Sequence, residues 1–501
     1  MTSEVELKFE VPPAMLRALA GAAWLKRLAL GPVERRKLVS VYFDTGSRAL
    51  REEGLSLRLR HIGDRTIQTV KGPGDYRREE WEQNIDGEVP ERGMARQTAL
   101  KPFTAKKKWR KLRPIFESEI GRTSFAVKSG DSRIEVALDH GKVKAGHRSQ
   151  PISEVELELK KGEVADLNRL ATHIAGRGGV ALELRSKAER GYGLADGRLD
   201  DPVRASAIIL ADDMTAAEGL RTIGFSCLHH LAANRAAVLK DDSEGIHQMR
   251  VGLRRLRAVL SLFKPLIEGP EFEAIKQDLK WLSGELGPAR DFDVFVAKTV
   301  APMKKHPPAG LAPLEADLKA RRRKGFARAK RLVRGERYRR ILLRTGLWLT
   351  GGDWIVSGDQ LRRDLRERQL KDMARDILAT RTAKAARKLK KLDRLDAMQR
   401  HKLRIALKKL RYAVGFFESL FPKPGRFAAR LKQLQDALGR LNDIQVHEKF
   451  ARKTVCGKRQ LPRGAYALGV VTGQEQAAVK PCLAAASKAG KRFRAQPPFW
   501  K

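Results

Sequence analysis

Carboxylates two residues apart on an extended chain point the same way, and such a pair can share one hard cation. The sequence builds this row twice and ends each with a lysine. Residues 4–8 read Glu4-Val-Glu6-Leu-Lys8, and residues 154–160 read Glu154-Val-Glu156-Leu-Glu158-Leu-Lys160. Apolar residues fill the alternate positions (Val5, Leu7, Phe9; Val155, Leu157, Leu159), so each stretch reads as a strand with one apolar and one charged face. Arg58 and Arg60 alternate with Leu57 and Leu59, and Glu135 and Asp139 alternate with Ile134, Val136 and Leu138. Guanidinium and ammonium groups suit phosphate oxygens. On one strand a wet face accounts for such charge. Dense mixed-sign charge on several strands points instead to a place where a polyanion and a hard cation meet.

The elements that must hold these faces follow from the same alternation. Residues 1 to about 160 read mainly as short antiparallel strands, with helices near 12–30 and over 162–177. Strands whose charged faces are gathered inward turn their apolar faces outward. The two helices are expected to jacket that outer surface.

In this setting the motifs resemble, in order, those of the CYTH domain of the triphosphate tunnel metalloenzymes. They are Glu4-Val-Glu6-Leu-Lys8, Tyr-Phe-Asp-Thr at 42–45, Arg58 and Arg60, Lys71 in Thr-Val-Lys-Gly, and Arg-Arg-Glu-Glu-Trp-Glu at 77–82. Arg113, Glu135 with Asp139, Glu156 with Glu158, and Lys187 with Arg190 complete the set. The resemblance implies an eight-stranded antiparallel β-tunnel with flanking helices. It also implies metal-dependent hydrolysis of a short linear polyphosphate, most simply inorganic triphosphate, with Mg²⁺ or Mn²⁺. Lys8, Arg58, Arg60, Lys71, Arg113 and Lys187 would clamp phosphates, and Glu4, Glu6, Glu156 and Glu158 would hold metal. Arg122, Glu80, Glu82 and Asp139 are assigned as wall ion pairs, and Asp44 as a turn residue. The same superfamily contains adenylate cyclases and organic triphosphatases, and these stay as alternatives.

Beyond the turn-rich stretch 196–206 helical periodicity takes over, and it repeats. His-Gln-Met-Arg-Val-Gly-Leu-Arg-Arg-Leu-Arg from 247 aligns with His-Lys-Leu-Arg-Ile-Ala-Leu-Lys-Lys-Leu-Arg from 401, a shift of 154. Gly287 and Asp291 recur as Gly439 and Asp443, a shift of 152. Two related halves, built of antiparallel helices about a pseudo-twofold axis, are expected. Each motif helix carries an apolar stripe and, rotated from it, a basic one: His247, Arg250, Arg254 and Arg257, then His401, Arg404, Lys408 and Arg411. Like charges at helical spacing repel by about 0.2–0.5 kcal/mol per pair. Their recurrence in both halves suggests an anionic ligand. Basic runs at 320–332 and 384–392 read equally well as solvated faces, and His229, His230 and His447 as structural residues.

This second part resembles the CHAD domain, the conserved-histidine α-helical domain. The resemblance implies inorganic polyphosphate binding in a basic groove by these stripes, with Arg255 and Lys409 beside them, and recruitment to polyphosphate granules. Lys408 and Lys409 stand where the first copy has Arg254 and Arg255.

Composition agrees with a polyanionic partner. The 501 residues carry a net charge of +43. Residues 1–200 hold 38 basic and 29 acidic residues, and the remainder 64 and 30, so the excess lies in the helical part. Three widely spaced cysteines form no metal-ligand spacing and no disulfide framework. With no signal peptide and no long apolar run, a cytoplasmic protein without a membrane partner is expected. The resulting expectation is an α+β chain of two domains: a tunnel domain over 1–197, a linker over 198–212, and an all-α pseudo-twofold bundle over 213–495. Nucleic acid is not the specific ligand in this reading. A non-catalytic polyanion-binding scaffold remains the alternative for the whole chain.

Overall fold

The alternation in the sequence sets the layering of the first domain. In the computed structural model, residues 5–74, 79–296, 300–356, 359–421, 424–455 and 464–500 are described. Glu4, Arg77, Arg78, Cys456 and the side chain of Asp291 fall outside them. The strands are β1 (Val5–Glu10), β2 (Glu34–Asp44), β3 (Ser56–Ile62), β4 (Arg65–Lys71), β5 (Glu80–Ile85), β6 (Arg113–Ser129), β7 (Ser132–Ala145), β8 (Arg148–Lys161) and β9 (Ala181–Leu182). They form one antiparallel sheet in the order β5-β4-β3-β2-β6-β7-β8-β1-β9. Two-residue turns join β6 to β7 and β7 to β8, where Gly130 and Gly146 take φ of +61° and +57°. The ninth strand exceeds the expected eight. It is two residues long and pairs Ala181 and Leu182 with Glu10 and Phe9 on the β1 edge.

The apolar positions face outward, as the jacket requires. Leu7, Phe9, Val136, Leu138, Val155 and Leu157 are buried against helices α1 (Pro13–Gly21) and α3 (Val164–Ala175). The single helix expected near 12–30 is two, because Ala22 is extended (φ −64°, ψ 120°) and separates α1 from α2 (Ala23–Leu28). Helix α4 (Lys187–Ala195) packs Tyr192 and Leu194 against Tyr42, Phe116 and Ile120.

Among the described residues the second part is mainly helical. Its main helices are α5 (Ala216–Ala233), α6 (Ser243–Leu262), α7 (Pro270–Phe295), α8 (Leu311–Arg334), α9 (Glu336–Gly351), α10 (Leu370–Leu389), α11 (Ala397–Phe417), α12 (Gly425–Val455), α13 (Ala465–Ala477) and α14 (Val479–Arg494). The repeat is structural. Motif helix α6 packs between α5 and α7, and motif helix α11 packs between α10 and α12. Across the pair the equivalent residues Phe263 and Phe417 meet with ring centroids 6.3 Å apart. Gly252 allows α6 to approach α5, since a Cβ there would lie 2.7 Å from the Leu231 nitrogen.

One apolar core continues from the outer face of the sheet into the helical half. At the junction Asn168 donates to the Gly351 carbonyl (2.8 Å), and Gly346 lies so close to Leu182 that a Cβ would sit 2.5 Å from it. Among the described residues no helix is long and apolar enough to cross a membrane.

Candidate active site

Register brings the charged side chains into rows across the sheet. Glu6 on β1 is the cross-strand partner of Glu158 on β8, and Glu158 in turn is the partner of Glu135 on β7. This is a row of three carboxylates. Burial raises the Glu158 carboxyl, and Glu135 and Glu6 add to that against the pull of Lys160, 2.5 Å away. Glu6 Oε1 is buried and accepts no hydrogen bond. Its nearest cation is Lys8 Nζ at 3.4 Å.

One row deeper the sign changes. Lys8 is the cross-strand partner of Glu156 and its ammonium lies 3.1 Å from that carboxylate. Lys187, at the start of α4, reaches Glu156 (2.6 Å), Asp139 (2.8 Å) and Glu154 (3.1 Å). Arg122 on β6 grips Asp139 with two bonds of 2.7 Å and also donates to Glu156. Burial alone would raise the Glu156 carboxyl; Lys187, Lys8 and Arg122 overcome it and hold the group well below its usual range. Burial would likewise lower the Lys187 ammonium, and Asp139 and Glu156 keep it raised.

The opposite part of the sheet supplies cations. Tyr42, Arg58, Thr69 and Glu82 form one row over β2, β3, β4 and β5. Arg58 lies 3.5 Å from Glu80, and Lys71 lies 2.8 Å from the same carboxylate. Burial would raise the Tyr42 phenol, yet Arg58 and Arg60 leave it lowered. Arg60 differs from the others. Its Nε donates to Ser40 Oγ at 3.3 Å, and among the described residues no carboxylate approaches it within ion-pair distance. Burial first, then the neighbouring Arg58, depresses its pKa to about 10; Arg122 adds to the effect. It is a half-buried cation with no ion-pair partner among the described residues, and the more distant Glu82 opposes the effect.

The structure thus gathers Lys8, Arg58, Arg60, Lys71, Lys187, Glu6, Glu156 and Glu158 on one face. Arg113 does not join them. It opens β6 beside Asp44, is exposed, and rests its guanidinium about 3 Å from where a Gly46 side chain would begin. Asp44 is a turn residue, accepting from the Thr45, Leu50 and Arg51 amides and the Tyr192 hydroxyl. Tyr42 and Glu135 were not assigned roles from the sequence. Cross-strand pairing to Arg58 and Glu158 is what reveals them.

In the helical half the basic stripes converge. Arg250 and Arg254 of α6 face Arg404 and Lys408 of α11, which are their repeat equivalents. Burial, then Arg404 and Arg254, depresses the Lys408 ammonium to about 8. Burial lowers Arg404 as well, with Asp443 opposing. His401 Nδ1 lies 2.6 Å from Asn442 Oδ1, and His247 is lowered by burial and Arg290. Lys409 and Arg257 stand in a separate group with Arg381 and Lys384, where Lys409 donates to Ser261 Oγ at 3.0 Å. Arg411 donates to Gln435 (3.2 Å).

Arg255 corrects the sequence reading. One residue on from Arg254, it is rotated about 100° around the helix. It is buried, 3.3 Å from His230 Nδ1 and over the Phe416 ring. Its place is in the core, not in a groove. The run at 320–332 is largely a paired surface: Arg321 with Asp317, Arg322 with Asp293, Arg328 with Glu285, and Lys330 with Asp241.

Comparison with known proteins follows the same division. Residues 2–192 match the CYTH domain and residues 222–452 the CHAD domain. The inorganic triphosphatase of Haemophilus influenzae is 31% identical over 198 residues, which is 38% of this chain and 55% of that protein. The chain therefore spans about half the length of this curated relative. The crystal structure of the CHAD domain from the plant Ricinus communis superposes with a TM-score of 0.51 at 30% identity, covering 59% of this chain and 97% of that one. The chain belongs to the proteins that carry a CYTH domain followed by a CHAD domain.

Proposed function

We propose that the charged face of the sheet hydrolyses a phosphoanhydride of inorganic triphosphate, and that the helical half binds inorganic polyphosphate. The observation that supports the first part most directly is Arg60. A half-buried guanidinium beside Arg58 and Arg122, with no carboxylate in ion-pair contact among the described residues, suits an anion that arrives from outside. Lys8, Arg58, Lys71 and Lys187 share the charged face with it, each already facing carboxylates. Their charges would spread over the phosphate chain and stabilise the charge that shifts to the leaving oxygen. Arg113, exposed and apart, is not needed in this arrangement.

Hard oxygen donors fit Mg²⁺ or Mn²⁺. Glu6 and Glu158 face each other, Glu135 extends the row, and Glu6 Oε1 lacks a hydrogen-bond donor. Among the described residues no three acidic or histidine side chains form a complete ion site. Glu4, the fourth candidate, precedes β1 outside those residues. When bound, a divalent ion there would neutralise phosphate charge and lower the pKa of a water. Glu156, held by three cations, serves better to position Lys8 and Lys187 than to hold metal.

For polyphosphate, the support is the group formed by Arg250, Arg254, Arg404 and Lys408, with His247 and His401 at its ends. The domains in this reading span 1–197 and 213–495, joined by 198–212. Polyphosphate binding would recruit the protein to granules in the cytoplasm and raise the local concentration of chain ends near the tunnel. The test is phosphate release from triphosphate, ATP, thiamine triphosphate and long polyphosphate with and without Mg²⁺ or Mn²⁺. Fast, metal-dependent release from triphosphate alone is expected. Formation of cyclic AMP from ATP, or no release from any substrate, would replace the proposal by one of its alternatives.

A further inference from the structure

Lys187 reaches the carboxylate nest from the first turn of α4, and that turn is fixed in part from the other domain. The helix opens with a capping box: the Glu189 amide donates to Ser186 Oγ (3.1 Å) and the Ser186 amide donates to Glu189 Oε2 (2.7 Å). The second oxygen of the same carboxylate, Oε1, meets His229 Nε2 of helix α5 at 3.1 Å. Glu189 therefore ties the start of α4 to the helical half. The preceding residues are tied as well. Ala181 and Leu182 lie on the β1 edge, and Glu183 donates its amide to the Lys8 carbonyl (3.0 Å). From the other side α9 presses on Leu182 at Gly346. On the same turn as Glu189, Arg190 binds Glu154 and Glu183.

The segment 181–190 is thus held between β1 and the helical domain, and it carries both Lys187 and Arg190 into the tunnel face. We propose that His229 is a positioning residue for the tunnel, acting through Glu189 and helix α4 to fix the Lys187 ammonium against Glu156 and Asp139. The helical half is then part of the hydrolytic site's scaffold, in addition to any polyphosphate it holds. This inference rests on the triphosphatase reading.

The experiment uses the full chain with His229→Ala, His229→Gln, Lys187→Ala and the double variant His229→Ala/Lys187→Ala. Two quantities are read: kcat/KM for triphosphate, and triphosphate affinity by calorimetry without metal. A partly exposed His–carboxylate contact of this kind predicts a loss of about two- to fivefold in His229→Ala. His229→Gln keeps an N–H donor and should recover most of it. In the Lys187→Ala background, removing His229 should change either quantity by less than about twofold, because the coupled residues act as a unit. A general loss of folding would instead lower both backgrounds equally. An undiminished affinity and rate in His229→Ala, or an equal loss in both backgrounds, overturns the inference. If the wild-type chain hydrolyses nothing, the function proposal fails by itself. The affinity arm then still decides whether His229 acts through Lys187.

Discussion

Substituting Arg60 should produce an unusual pairing of effects. In the empty protein burial and Arg58 hold its pKa at about 10, well below the ordinary guanidinium range. At about 1.4 kcal/mol per pKa unit, the charged form is worse off by roughly 3 kcal/mol than in water, as an upper bound. Arg60→Met removes the charge and keeps much of the stem that lies along β3. The empty variant should therefore be more stable than the wild type, by about 1–3 kcal/mol. For a domain of this size that is a rise in Tm of about 2–10 °C. The same change should lower kcat/KM for triphosphate by about 10²–10³-fold, as for other preorganised charge-stabilising groups. Arg122→Met is the control with the opposite sign. Arg122 neutralises buried Asp139 and Glu156, so its loss should destabilise by about 3–5 kcal/mol. Thermal unfolding without ligand and steady-state phosphate release measure the two effects. A lowered Tm in Arg60→Met together with unchanged kcat/KM would refute the reasoning, since Arg60 would then be a satisfied structural residue.

Other outcomes follow from the same geometry. Glu158→Gln should abolish metal-dependent release of phosphate while leaving metal-free triphosphate affinity unchanged or tighter, read by calorimetry. Lys408, with a folded-state pKa of about 8, should gain protons when polyphosphate binds. Affinity should then be full below pH 8 and fall by up to about tenfold per pH unit above it, and Lys408→Arg should remove that fall. The sign for the empty protein is reversed. The strain of holding Lys408 charged is present below pH 8 and gone above its unfolded value, so the helical half should gain stability across that window. Arg404→Ala should weaken polyphosphate binding without loss of Tm, whereas Arg255→Ala should lower Tm by the loss of its His230 and Phe416 contacts and leave binding unchanged.

How far the sequence carries depends on whether a property is local or depends on register. Alternation in Val5–Glu10 and Arg148–Lys161 was enough to assign the charged face, and the outward apolar face then required the helical jacket that α1 and α3 supply. Local periodicity also revealed the two motif helices and their repeat. Register was not legible. Only the pairing of β1, β8 and β7 shows that Glu6, Glu158 and Glu135 share a row while Glu156 sits one row deeper among cations. Arg113 appeared in a motif of the right order, but motif order says nothing of which way a side chain leaves a strand end. Arg255 was misread for a related reason: adjacent arginines look alike in a stripe, although neighbouring helical positions point about 100° apart. The short β9 and the His229–Glu189 contact were invisible, because each depends on where the second domain rests on the first.

The two anion sites also differ in a way their chemistry requires. On the tunnel face nearly every cation already has a carboxylate partner: Lys8 and Lys187 have Glu156, Lys71 and Arg58 have Glu80, and Arg122 has Asp139. In the proposed reaction an arriving phosphate would have to compete with those partners, which would moderate ground-state binding and keep the released product from being trapped. Only interactions that strengthen as charge moves in the transition state then speed the reaction. In the helical half Arg254, Arg404 and Lys408 lie close together beside Arg250, and among the described residues Asp443 is an acidic neighbour of Arg404 and Lys408. If polyphosphate binds there as proposed, it would relieve the repulsion among these cations, which would return when it leaves, and this favours retention over turnover. Exchanging the two balances is thus a direct test of the division of labour. Asp443→Asn should tighten polyphosphate binding and slow its release, while Glu80→Gln, which removes one carboxylate facing Lys71 and Arg58, should tighten triphosphate binding and lower kcat. Stopped-flow release of labelled polyphosphate and steady-state kinetics read the two effects, and a faster release or a raised kcat would count against the assignment.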